Sequence, residues 1–277
     1  MTARVRHPRP AHLFATWPAI ARRLGRADRL ALFTDFDGTL APIRRHAADV
    51  RLSPRVRRLL ADLAAAGVLV GVISGRALAD VRARVRLGGM WYVGSHGFLL
   101  CAPNGHTIVL ATLRQRRKIA RVTRRLRVAL STMPGLEIDQ KVATVAVHYR
   151  NASRAIRRAG ARVLTHILAD EGNLRLLPGK KVWEILPAAP FDKAGAVQFI
   201  LAVARQRAAH ARWLAVYVGD DVTDERVFAR WRGLSVVVGR RSRTAATYYL
   251  RSPAEVRTLL NRLRLALGSR PRPLTRS

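Results

Sequence analysis

Sulfur chemistry is almost absent from this chain, with Cys101 the one cysteine among 277 residues. A disulfide framework and a cysteine-built metal site are both excluded. Lysine is nearly as sparse, occurring only at positions 118, 141, 180, 181 and 193, and 17 acidic residues face 51 basic ones. Aromatic residues make up 6%, and no basic stretch alternates with aromatics in the manner of base-stacking proteins. Long apolar runs are missing too. The uncharged stretch from Leu87 to Leu113 is broken by Gly88, Gly89, Pro103, Asn104 and Gly105 and reads as strands and turns. Nothing else approaches the ~18 apolar residues of a membrane-crossing helix. The opening Arg4, Arg6, Pro8 and Pro10 lead into no apolar core, so the expectation is a cytoplasmic protein without a secretory leader.

What the chain has in abundance is arginine, and its net charge is +34. Such a field attracts nucleic acid, anionic membrane surfaces and phosphorylated substrates. The excess is spread along the chain: residues 112–186 hold 17 basic and 5 acidic side chains, and the flanking segments are basic as well. A general compositional preference for arginine explains this better than a dedicated polyanion site. Weak non-specific polyanion binding is expected; specific nucleic-acid recognition and a membrane span are not.

Five short apolar runs each end in polar or glycine-containing residues. Leu30–Thr34 meets Asp-Phe-Asp-Gly-Thr-Leu, Val68–Ile73 meets Ser74-Gly75-Arg76, and Met90–Val93 meets Gly94-Ser95-His96-Gly97. Trp213–Val218 meets Gly219-Asp220-Asp221, and Leu234–Val238 meets Gly239. Continuous apolar runs suit strands covered on both faces. Helical patterns lie between them. One starts at Ser53-Pro54 and runs through Leu59, Leu60 and Leu63 to Gly67, with an N-cap and a proline at the first helical position. Others cover about 192–209 and 223–232, and a short one covers 18–24.

This alternation predicts an α/β fold, a doubly wound parallel-sheet (Rossmann-like) core that binds ligands beyond the carboxyl ends of its strands. The middle of the chain reads differently, as an amphipathic helix over 114–130, β-like runs over 136–149, a helix over 153–169 and a hairpin over 174–186 turning at Pro178-Gly179. The predicted organisation is a basic lead-in (1–27), a core (28–111 and 187–266), an inserted α+β cap (112–186) and a basic tail (267–277).

Asp35 and Asp37 stand two residues apart at a strand end, and Asp220, Asp221, Asp224 and Glu225 crowd another. In so basic a chain this is no surface decoration. Hard divalent cations such as Mg²⁺ take oxygen ligands and leave positions for water or phosphate. A carboxylate can also attack phosphorus, so Asp35 can be both ligand and nucleophile, with Asp37 near enough to protonate a leaving oxygen and then activate water. Phosphoryl transfer needs donors around the equatorial oxygens. Ser74 offers a hydroxyl and, with Gly75, the backbone amides of an expected helix start, and Lys193 offers a point charge. Glu184 interrupts an apolar strand, Val-Trp-Glu-Ile-Leu, where an unpaired acid is costly. Lys141 and Arg150 flank another apolar run and read equally well as solvated strand ends. His96 reads as a structural donor.

In their order, these motifs resemble the haloacid-dehalogenase superfamily: DFDGTL its first motif, Ser74 its second, Lys193 its third, GDDVTDE (Gly219–Glu225) its fourth. More narrowly, DFDGTLAPI, ISGR, Ser95-His96-Gly97, VHYR, WEILP and GDDVTDE are similar to the trehalose-6-phosphate phosphatase family, from about Leu30 to Ser252. That resemblance implies a Mg²⁺-dependent phosphatase acting on a small sugar phosphate. It implies Asp35 as nucleophile, Asp37 as general acid and base, and Mg²⁺ held by Asp35, the Asp37 backbone carbonyl and Asp220, supported by Asp221 and Asp224. It implies Ser74, Gly75 and Lys193 on the phosphoryl group, and Lys141, Arg150 and Glu184 on the sugar. The chain departs from the family pattern at Asp139, Phe98, Leu99, Ala194 and Leu186, none of them a catalytic carboxylate. The competing readings are a phosphatase of the same fold for another sugar phosphate, and a polyanion-binding protein on a phosphatase scaffold.

Overall fold

The computed structural model describes residues 9–179, 181–188, 192–241 and 243–268. The first eight residues of the expected lead-in and all but the start of the expected tail lie outside the described residues, as do Lys180 and 189–191. In chain order the elements are β1 (Ala11–His12), α1 (Trp17–Arg26), β2 (Arg29–Asp35), α2 (Pro54–Ala65), β3 (Leu69–Ile73), α3 (Leu78–Val85), β4 (Trp91–Gly94), β5 (Leu99–Cys101) and β6 (Thr107–Val109). The inserted segment brings α4 (Leu113–Ala129), β7 (Glu137–Gln140), β8 (Val145–His148), α5 (Arg154–Glu171), β9 (Leu174–Gly179) and β10 (Val182–Pro187). The chain then continues with α6 (Lys193–Arg207), β11 (Trp213–Gly219), α7 (Val222–Arg230), β12 (Leu234–Val238), β13 (Tyr248–Leu250) and α8 (Pro253–Gly268).

The apolar runs become the centre of a nine-stranded sheet ordered β1-β13-β12-β11-β2-β3-β4-β5-β6. Pairing is parallel from β1 through β4, and β5 turns back antiparallel to β4. In register, Leu32 of β2 lies between Val216 and Val70, so successive residues of each strand face opposite sides of the sheet. One face gathers Leu32, Val70, Val72 and Val216 with Ile20 of α1, Leu60 and Leu63 of α2, Val81 of α3 and Leu260 of α8 in a single cluster. On the other face Tyr217 meets Phe228 of α7 edge-on, ring centroids 5.8 Å apart, and α6 runs beside α7. Burial on both faces is why these strands carry no polar alternation. The core is therefore the expected α/β sheet with helices on both sides.

Local signals set the helix ends. Ser53 Oγ accepts from the Val56 amide at 3.3 Å and Pro54 opens α2. Thr112 and Gln115 form a reciprocal capping box at the start of α4, satisfying two amides that a helix start leaves unpaired. Helix α8 carries no counterpart among the helical patterns; it buries Val256, Leu259, Leu260 and Leu263.

Contacts divide the chain into two compact units, one within Met1–Ile108 and Lys193–Ser277, the other within Val109–Asp192. The second unit is slightly wider than the segment read from the sequence. It has its own antiparallel sheet, β7-β8-β10-β9. Its own core is built from Ile119, Val122 and Leu126 of α4, Leu164 and Ile167 of α5, and Val145, Val147, Trp183 and Ile185 of the sheet. The hairpin expected at Pro178-Gly179 turns two residues later. Both residues belong to β9, paired with Trp183 and Val182, and Lys181 takes the left-handed conformation at φ 62°. Proline fits there because β9 is the edge strand of its sheet, where a missing N–H can face away from the neighbouring strand. Among the described residues no helix is long and apolar enough to cross a membrane.

Leu60, fully buried between α2 and the sheet, tests this packing. Leu60→Ala is expected to lower stability by about 2–5 kcal/mol, measured by urea denaturation with unchanged far-ultraviolet circular dichroism before the transition.

Candidate active site

The polar ends of β2, β3 and β11 and the start of α6 converge on one group of side chains. Strand β2 delivers Asp35, 4% exposed, into a tight loop in which the amides of Leu40 and Ala41 return to the Phe36 carbonyl. Gly38 in that loop has φ +82°, and a Cβ there would lie 2.0 Å from Asp220 Oδ2. Only glycine meets both demands. Thr39 Oγ1 donates to Asp220 Oδ1 at 3.3 Å, and the Arg241 guanidinium donates to the Asp220 backbone carbonyl. Asp221 caps α7, accepting from the Val222 amide at 2.6 Å, while Asp224 Oδ2 accepts from the Asp221 amide at 3.0 Å.

Lys193, the first residue of α6, joins the two acidic clusters. Its Nζ donates to Asp35 Oδ1 at 2.6 Å and to Asp224 Oδ1 at 2.9 Å. The Tyr217 hydroxyl donates to the same Asp224 oxygen at 2.7 Å. Lys193 is 3% exposed and Asp224 fully buried, so this lysine is no solvated surface cation. Asp35, Asp220 and Asp224 each bring one carboxylate oxygen within 4.8 Å of the others. Asp224, read from the sequence as a support, thus stands in the carboxylate group itself.

Three carboxylates around one ammonium leave surplus negative charge in a desolvated site. Burial pushes the Asp35 carboxyl well above its usual range; Lys193 opposes this, while Asp224 and Asp220 add to it. Burial and Asp224 push Asp220 up to about 6. Burial works against the Lys193 charge, yet Asp224 and Asp35 outweigh it and hold the ammonium protonated. Burial raises the Tyr217 phenol, as does Asp224 beside it. An all-oxygen donor set with excess negative charge fits a hard divalent cation such as Mg²⁺, which would relieve the repulsion.

Asp37 is turned to other work. Arg76 forks it, with Nε to Oδ2 and Nη2 to Oδ1 both at 2.6 Å, and Arg76 Nη1 reaches Asp80 Oδ2 at 2.8 Å. The helix expected directly after Ser74 starts instead at Leu78. The Ser74 amide is used in the sheet, bonded to the Val93 carbonyl at 2.8 Å, and Ser74 Oγ accepts from the Arg76 amide at 3.1 Å, which leaves the hydroxyl hydrogen available. Gly75 is required by close packing: a Cβ there would meet the His96 ring at 2.5 Å. His96 itself is buried with φ 56°.

In the smaller unit, Lys141 Nζ and Glu184 Oε1 are 3.0 Å apart, both side chains largely buried. Glu184 lies between Ala146 and Leu177 in the sheet, and the acid that interrupts the apolar run takes its cation from Lys141, just beyond β7. Arg150 stands two residues beyond β8, half-buried. Thr39, Arg76, Asp80 and Tyr217 were not singled out by the motif spacing. Arg76 and Thr39 lie inside the strings ISGR and DFDGTL, and a phenol in the apolar run of β11 was the signal for a buried hydrogen bond.

A doubly wound sheet with an inserted α+β unit and carboxylates at its strand ends defines a haloacid-dehalogenase-like hydrolase. The sequence model of the trehalose-phosphatase family matches residues 33–254, and the chain belongs to that family of phosphatases. It is 37% identical over 269 residues to the trehalose-phosphate phosphatase of Mycobacterium bovis, covering 92% of this chain and 67% of that one. Its fold is similar to the C-terminal domain of Candida albicans trehalose-6-phosphate phosphatase, with a TM-score of 0.72 at 21% identity over 94% of this chain and 98% of that one. It is also similar to a haloacid dehalogenase-like hydrolase of Bacteroides thetaiotaomicron, with a TM-score of 0.63 at 15% identity over 85% and 100%.

The raised carboxyl groups set a pH dependence for the metal-free protein. A carboxyl whose folded pKa is raised stabilises the fold below its unfolded value, near 3.9, and loses that contribution as pH rises through the folded value. For Asp220 the window runs up to about 6. With chelator present, Asp220→Asn is expected to be more stable than wild type at pH 8, by up to about 2 kcal/mol, and not at pH 4. Thermal denaturation at both pH values measures this.

Proposed function

We propose that the chain is a Mg²⁺-dependent phosphomonoesterase that converts trehalose 6-phosphate to trehalose and inorganic phosphate through a phosphorylated Asp35. The observation that carries this reading is the buried Lys193 ammonium bonded to Asp35 and Asp224, with Asp220 completing the carboxylate group. The substrate reading rests on family membership and on the relative named a trehalose-phosphate phosphatase.

Asp35, the Asp37 backbone carbonyl and Asp220 hold Mg²⁺ in this reading, Asp224 adjoins them, and Asp221 fixes the turn into α7. When bound, the ion offsets phosphoryl charge and the repulsion between carboxylates. Lys193 neutralises Asp35 partly and offers its ammonium to an equatorial phosphoryl oxygen. Ser74 offers its hydroxyl hydrogen to another, with Gly75 giving close approach. An Asp35 oxygen attacks phosphorus, and the bond to the sugar oxygen breaks as that oxygen takes a proton from Asp37. Asp37 then takes a proton from water, whose oxygen attacks phosphorus and releases the Asp35 carboxylate and phosphate. Because Arg76 bonds both Asp37 oxygens, the protonated Asp37 keeps at most one of those bonds. The inserted unit serves as the cap that reads the sugar, through Lys141, Arg150 and Glu184.

Phosphate release over a panel of sugar phosphates tests the reading, with trehalose 6-phosphate hydrolysed fastest and only with Mg²⁺. Asp35→Asn is expected to lose more than 95% of turnover with unchanged circular dichroism; equal rates across the panel would contradict the substrate assignment. Glu184→Ala separates cap from core. It is expected to lower kcat/KM for trehalose 6-phosphate ~5–150-fold, the loss of one or two sugar hydrogen bonds, and to leave hydrolysis of an aryl phosphate nearly unchanged. Parallel losses on both would make the Lys141–Glu184 pair structural.

A further inference from the structure

Arg51, Arg57, Arg84 and Arg86, with Leu52 and Ala83, line a cavity of about 300 Å³ beside α2 and α3. Two of these guanidinium groups are built in. Arg57 donates to the Val85 carbonyl at 2.8 Å and the Arg84 carbonyl at 3.3 Å. Arg84, its side chain 11% exposed, donates to the Val50 carbonyl at 2.6 Å and the Ala48 carbonyl at 3.1 Å. Carbonyl oxygens orient a guanidinium without neutralising it. Arg86, at the left-handed end of α3 with φ 54°, spends only Nε, on the Ala83 carbonyl at 3.0 Å. Asp80, shared between Arg84 and Arg76, is the one carboxylate bonded to any of the four lining arginines among the described residues.

We propose that this cavity binds a linear di- or triphosphate group, as a site separate from the Asp35 cluster. Guanidinium forks match phosphate oxygens two at a time. Even with Asp80 set against Arg84, the four lining arginines exceed the charge of about −2 that a single phosphate brings, and the volume is more than one phosphate fills. Much of the arginine excess elsewhere decorates exposed surface. Here carbonyl bonds hold Arg57 and Arg84 in place before any ligand arrives, with exposed Arg51 and Arg86 at the rim, which removes part of the ordering cost from binding. The cavity also connects to the chemistry. Asp80 Oδ1 accepts from Arg84 at 2.8 Å, Oδ2 accepts from Arg76 at 2.8 Å, and Arg76 forks Asp37. An anion that draws on Arg84 leaves Asp80 more fully to Arg76 and loosens the fork on Asp37. Binding stands independently of the proposed function; its effect on turnover rests on that reading of Asp37.

The test titrates sodium pyrophosphate and tripolyphosphate into the metal-free full-length chain by calorimetry at fixed ionic strength. The comparison is between wild type, Arg51→Gln/Arg86→Asn, and a charge-matched control, Arg114→Gln/Arg154→Gln, at exposed positions of the other unit. Asparagine tolerates the left-handed backbone at position 86, and neither cavity substitution removes one of the bonds that pin Arg57 or Arg84. One saturable site is expected, weakened at least ~10-fold in the cavity variant and little changed in the control. Equal weakening in both variants would reduce the effect to the diffuse field of the chain and overturn the site. So would orthophosphate binding as tightly as pyrophosphate, or no saturable binding. At buffered free Mg²⁺ and saturating sugar phosphate, pyrophosphate is expected to raise kcat in wild type and not in the cavity variant; an unchanged kcat in wild type would overturn the connection to Asp37.

Discussion

The ammonium of Lys193 holds the polar centre of this protein together. Asp35 arrives at the end of β2 and Asp224 from the first turn of α7, and the same Nζ bonds both at 2.6 and 2.9 Å in a buried site. Without that cation, carboxylates this close and this dry would repel one another, and burial would favour their neutral forms. One ammonium does not balance three carboxylates, and burial first, then Asp224, pushes Asp220 up to about 6. The residual charge is a standing demand for a second cation, and the oxygen-only donor set selects a hard one.

The surrounding backbone is shaped to let these groups approach. Gly38 gives way to the Asp220 carboxylate, and Gly75 to the His96 ring. Asp37 sits in the same loop as Asp35 yet belongs to a different network, forked by Arg76, which also reaches Asp80. Two carboxylates two residues apart therefore meet different environments. One faces a buried ammonium and two acids; the other, partly exposed, faces a guanidinium. Such a division is the condition under which chemically identical groups can take the different roles proposed for them.

Arginine abundance has two distinct consequences in this fold. Most of the charge lies on solvated surface, where it sets a general attraction for anions. A smaller part is bonded to carbonyl groups or shared carboxylates, as at Arg57, Arg84 and Arg76. Only the second kind defines geometry, because an arginine free to move in water loses side-chain entropy when it commits to a partner.

Local pattern by itself determined the α/β class, most of the central strands, the cap of α2, and the acidic clusters at the strand ends. These are properties of short stretches: an apolar run covered on both faces looks the same wherever it folds, and a capping serine acts within three residues. The helix after Ser74 begins later than expected, at Leu78, because the Ser74 amide is taken by the Val93 carbonyl in the sheet. Helix α8 has no counterpart among the patterns. The hairpin turn was misplaced because Pro-Gly is a strong turn signal that the pairing of β9 with β10 overrode. Only the tertiary structure decided the pairings of the site. Lys193 and Asp35 are 158 residues apart, Arg76 and Asp37 are 39 apart, and Lys141 and Glu184 are 43 apart. No local rule links residues at such separations. Their distances follow from the order in which strands enter the sheet, which brings β2 beside both β3 and β11, and from the burial that makes each unpaired charge too costly to leave alone.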